Sequence, residues 1–138
     1  MTEAPNGSPN AESAADQEML ALAERLFDAA RAGDTELLRT YVSAGVPATL
    51  TNAAGDSLLM LAAYHGHVET TALLIELGAD VNTLNDRGQS PLAGAVFKGY
   101  ADVLRVLMKA GADPDAGNPS ARAAAAYFQR PELLELLA

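Results

Sequence analysis

The chain has 138 residues, no cysteine, no tryptophan and only seven aromatic side chains; 18 acidic against nine basic residues give a net charge of -9. The length suits one domain and the 49% apolar share suffices for a core, which excludes wholesale disorder. Without cysteine there is no disulfide scaffold, thiolate metal site or cysteine nucleophile, and an acidic chain with scattered basic residues lacks the footprint for nucleic acid.

In chain order, residues 1–12 come first: two prolines, a glycine and two asparagines with almost nothing to bury, the composition of a disordered tail. Met1 to Asn10 carries no Lys, no Arg and no apolar block, so no signal peptide is expected. No apolar run approaches the ~18 residues of a membrane helix. These absences, with the missing disulfides, set a cytoplasmic location as the expectation. Glu3, Glu12, Asp16, Glu18 and Glu24 all precede the first basic residue, Arg25. They are read as a solubilising extension, because an acidic arm normally needs a block of ~5–6 like charges.

The ordered domain is expected over 13–138. Its first helix starts near Ser13, where Asp16 resembles a capping box with Asp in place of Glu. Arg31-Ala32-Gly33-Asp34 supplies the turn to a second helix. From here the chain repeats every 33 residues. Gly33, Gly66 and Gly99 keep that step, as do Gly45, Gly78 and Gly111, Ala29, Ala62 and Ala95, and Asn52, Asn85 and Asn118.

In the second and third units, Ser57 and Ser90 suit N-caps and Pro91 suits a first helical position. Short apolar helices are predicted from Leu58 to about His65 and from Pro91 to about Lys98, stopped by Gly66 and Gly99. Second helices follow over Val68–Leu77 and Ala101–Ala110, stopped by Gly78 and Gly111. A polar, turn-rich stretch then projects sideways as a finger. The fourth unit starts at Asn118 and has lost three residues, so Tyr127-Phe128-Gln129-Arg130 aligns with Tyr64-His65-Gly66-His67 and Pro131 opens its last helix. The predicted class is an all-α repeat solenoid of about four helix-turn-helix units, near 19–51, 52–84, 85–117 and 118–138. Stacking is required because no single unit buries its own faces.

G-A-D-V-N at Gly78–Asn82, L-A-A-Y-H-G-H-V-E at Leu61–Glu69, and Gly88-Gln89-Ser90-Pro91-Leu92 with Gly111-Ala112-Asp113 closely resemble the ankyrin repeat. The resemblance spans about Met19 to Ala138. It departs at the first helix start, where the family favours Thr-Pro-Leu-His and this chain has Ser57-Leu58-Leu59-Met60 and Ser90-Pro91-Leu92-Ala93.

Catalytic readings fail on their partners. Gly55-Asp56-Ser57-Leu58 spells a hydrolase nucleophile motif, but neither His65 nor His67 follows an aspartate by three residues. Two histidines flanking one glycine are too few for a closed zinc site. The glycines lie 33 apart rather than in a phosphate loop, and Gly-Lys never occurs. No enzyme activity, metal or cofactor is expected.

The resemblance implies a protein partner held by the fingertips and by the exposed ends of the first helices. Those ends fall at Arg31-Ala32, Tyr64-His65, Phe97-Lys98 and Tyr127-Phe128. Tyr64, Phe97 and Tyr127 share one repeat column and are expected to form a ridge on the concave face, with Arg31, His65, Lys98 and Phe128 at its margins. The plainer alternative is that the rings only pack on neighbouring helices. Fingertip candidates are Ala53, Ala54, Asp56, Asp86, Arg87 and Gln89. The chain is expected to act as a monomer. The resemblance also permits an accessory role beside a catalase or other peroxide-defence enzyme, which gene neighbourhood would separate from a general adaptor. Seven Arg against two Lys, with abundant alanine, is read as the coding bias of a high-GC bacterium.

Overall fold

The computed structural model describes the backbone of residues 9–138 and side chains from Ala14 onward. Residues 1–8, most of the expected disordered tail, lie outside the described residues. Eight helices follow in order: α1 Pro9–Ala32, α2 Thr35–Ser43, α3 Leu58–Tyr64, α4 Val68–Glu76, α5 Pro91–Lys98, α6 Ala101–Lys109, α7 Ala121–Tyr127 and α8 Pro131–Leu136. Each odd helix packs on the even helix that follows it. The odd helices stack as an inner row α1–α3–α5–α7, and the even helices as an outer row α2–α4–α6–α8. The architecture is the expected all-helical repeat stack.

One boundary differs. The helix begins at Pro9, so residues 9–12 are helical rather than tail, and Ser13 lies inside α1 instead of capping it. Proline suits a first helical turn because its fixed φ is already helical and its missing N–H would have no partner there.

The serine caps form as their spacing requires. Ser57 Oγ accepts from Met60 N at 3.0 Å, and Ser90 Oγ accepts from Ala93 N at 3.0 Å. Ser120, the corresponding residue of the shortened fourth unit, accepts from Ala123 N at 3.1 Å. The fingers are tight loops. Asn52 Oδ1 accepts from the N–H groups of Ala54 and Asp56, and Asn85 Oδ1 does the same for Arg87 and Gln89. Asn85 Nδ2 also donates to Asp56 Oδ1 at 2.8 Å, which ties one finger to the next.

The glycine column has a double cause. Gly66 has φ +80°, a left-handed conformation, and a Cβ there would meet the Tyr100 ring at 3.0 Å. His67 and Arg130 likewise lie against Gly33 and Gly99. Each unit thus lays the residue before its second helix onto the bare turn of the preceding unit. His67 adds a bond, its Nε2 lying 2.7 Å from the carbonyl oxygen of Arg31. Leucine and valine fill the space between the rows, with Leu38, Leu59, Leu74, Leu92, Val96, Leu104 and Leu107 all buried. Ala62, Ala95 and Ala125 are fully buried where inner helices pack side by side, and their small size permits the close approach.

Candidate functional site

The inner row carries aromatic side chains at its helix ends. Tyr64 closes α3 and Phe97 lies in the last turn of α5. Their rings are nearly parallel, 7° apart, with centroids 6.4 Å apart. Phe97 then meets Phe128 edge to face at 5.5 Å, and Phe128 meets Tyr127 at 5.1 Å. Offset and edge-to-face arrangements at these separations are favourable for ring quadrupoles.

The ring train therefore differs from the expected column. It passes from Phe97 to Phe128, which stands one residue past α7, and only then to Tyr127. Tyr127 is 80% exposed, against 50% for Phe97 and 42% for Phe128. Phe128 thus takes the central place expected of Tyr127. The reason is local: at the end of α7 two adjacent residues are aromatic, and the one beyond the helix lies over the Phe97 edge.

Tyr64, Phe97 and Phe128 line an open groove of about 510 Å³. Met60, Ala93, Gly94 and Ala124 also line it from the inner helices, and Arg87, Gln89 and Pro119 from the finger side. A smaller recess adjoins it and adds Arg31, Asp56 and His65. Lys98 Nζ stands 5.0 Å from the Tyr64 ring centroid, within cation–π range. His65 packs edge-on against Tyr64, and its Nδ1 lies 2.9 Å from Leu61 O. Arg31 is paired with Asp28 at 2.8 Å. Arg87 donates through Nε and Nη2 to Gln89 Oε1 at 3.3 and 3.2 Å.

Nine of the ten residues singled out from the sequence therefore gather along one face, and Tyr127 sits at its edge. Ala53 and Ala54 line a different and larger recess with Leu20, Ala23 and Phe27. Asp86 donates its N–H to Ala54 O, which joins the two fingers. The sequence reading missed Met60 and Gly94. A usable signal was Gly94 itself, a glycine inside a helix where the repeat mates are Leu61 and Ala124.

The groups needed for catalysis are occupied otherwise. Ser57 is buried and its Oγ is the cap of α3. One ring nitrogen of each histidine contacts a backbone carbonyl. Among the described residues no three His, Asp or Glu side chains gather as metal ligands, and no helix is long and apolar enough to cross a membrane.

Residues 26–118 match the family described as ankyrin repeats (3 copies). A Pseudomonas aeruginosa chain named as an ankyrin repeat protein is 47% identical over 55 residues. The match spans 40% of this chain and only 32% of that relative. Ankyrin repeats generally mediate protein–protein interaction and are typically not enzymes. With its 33-residue units, its paired rows of helices and its turn glycines, the chain belongs to the ankyrin repeat family.

Proposed function

We propose that the chain is a non-catalytic interaction module that holds one protein partner along its concave face. The observation that carries this reading is the ring train Tyr64–Phe97–Phe128 lining an open groove beside the fingertip residues Arg87 and Gln89. Rings that served packing alone would be covered, yet Phe97 is half exposed and Phe128 nearly so. Aromatic and arginine side chains dominate interface energetics because they bury much area at small entropic loss. A specific contact needs about 800 Å² on each side, which a face built from four units and two fingers can offer. The module acts as a monomer.

The test is a pull-down from native cells with wild-type protein and with Tyr64→Ala/Phe97→Ala. The double variant should keep its helical circular dichroism and lose the partner. If a folded double variant retains every partner, the concave-face reading is wrong.

A further inference from the structure

We propose that the groove takes an acidic, extended peptide segment of the partner, anchored by one large apolar side chain. This rests on the concave-face reading above and adds the chemistry of what binds there.

The anchor follows from the floor. Gly94 lies inside α5, where glycine is the poorest helix former after proline. Its missing side chain lets Tyr64 and Met60 pack close against α5, where a Cβ would lie 3.3 Å from Tyr64 Cδ1 and 3.7 Å from Met60 Cε, and so brings both to the groove floor. The groove above this floor is walled by Tyr64, Phe97 and Phe128, with the Met60 thioether beside them. Such walls fit Leu, Met or Phe and leave a charged side chain unpaired.

The acidic flanks follow from the rim. Arg31, Arg39, Arg105 and Arg122 each pair with a carboxylate. Arg25, Arg87, Lys98, Lys109 and Arg130 form no ion pair among the described residues, and of these five Arg87 lines the groove and Lys98 stands over its Tyr64 ring. Arg87 rests on the neutral amide oxygen of Gln89, and Lys98 stands over a ring. Asp56 is the single carboxylate lining the groove or its adjoining recess, and its Oδ1 accepts from Asn85. In a chain of net charge -9, this face therefore carries two cations, Arg87 and Lys98, that no carboxylate of the described residues contacts as an ion pair. At about 0.15 M salt the Debye length of about 8 Å screens those acidic residues that lie farther from the rim than this. An extended strand fits because the exposed groove runs across successive units between helix ends and fingers.

The test pans a phage-displayed library of random dodecapeptides on the full chain at about 0.15 M salt. Parallel pans use Arg87→Glu/Lys98→Glu and Phe97→Asp, whose sites are exposed and outside the core. Wild type should enrich peptides with Asp and Glu around a single Leu, Met or Phe. The best synthetic peptide should bind the Glu/Glu variant about tenfold more weakly, and a Lys-flanked counterpart should recover binding to it. Enrichment of neutral or basic peptides that depend on Phe97 overturns the acidic assignment and leaves the concave-face reading standing. No enrichment, or only peptides that Phe97→Asp retains, overturns both. Labelled oligothymidylate binding in the groove more tightly than the best peptide also overturns the proposal, because aromatic and cationic groups serve nucleic acid as well.

Discussion

At the scale of the residue, the turn between paired helices shows how one backbone requirement recurs with different side chains. Gly33, Gly66 and Gly99 hold it with φ near +80°, and Gln129 holds the same place in the fourth unit at φ 54°. A side chain in that conformation costs about 1–2 kcal/mol through the clash of Cβ with the backbone. Gln129 is thus a side chain in the place where the three preceding turns hold glycine. Gln129→Gly should therefore raise stability by about 1 kcal/mol, seen as a higher urea midpoint with an unchanged slope. Gly66→Ala should do the reverse and by more, since it adds a contact with the Tyr100 ring to the same strain. Equal effects of opposite sign would mean that Tyr100 yields freely and that the packing of one unit on the next does not require the bare turn.

At the scale of the element, the inner helices α3, α5 and α7 are short and depend on their caps. Those of α3 and α5 are buried, whereas that of α7 is exposed. Losing a cap costs about 1 kcal/mol in general, and more where the orphaned N–H has no water to turn to. Ser90→Ala should therefore destabilise by about 1–2 kcal/mol and Ser120→Ala by less than about 1 kcal/mol in the same denaturation assay. These elements were legible because serine caps and glycine stops are local signals: the predicted ends of α3, α5, α4 and α6 lie within a residue of those found. The start of α1 was not legible, because Pro9 and its polar neighbours have the composition of a tail as much as that of a first helical turn. Of the expected column, the Tyr64 and Phe97 rings lie side by side, and the ring that meets Phe97 from the fourth unit is Phe128 and not Tyr127, because register along the chain cannot say which of two adjacent rings crosses to a neighbouring helix. Gly94 signalled only that a helix had given up a side chain, and the chain alone does not say that Tyr64 and Met60 fill the space.

At the scale of the whole molecule, stability passes from unit to unit, since each contacts only its neighbours. The four units are not equally built. The inner helices α3 and α5 bury Leu58, Leu59 and Leu61, then Leu92 and Val96, whereas α7 buries Ala121, Ala124 and Ala125. Apolar burial stabilises in proportion to area, so α7 gains least from its stack. Its partner α8 has only six residues. Local opening should therefore begin at α7–α8. Hydrogen exchange should show amides of this pair exchanging at least about tenfold faster than those of α3 through α6. The consequence reaches the groove, because Phe128 stands on the weakest unit and Tyr64 and Phe97 on the strongest. A groove ligand that uses Phe128 must order α7, so binding should slow exchange in α7–α8 far more than in α3. Equal protection across all four units in the free chain would remove the weak end from this account. Ligand protection confined to α3 and α5 would remove Phe128 from the groove.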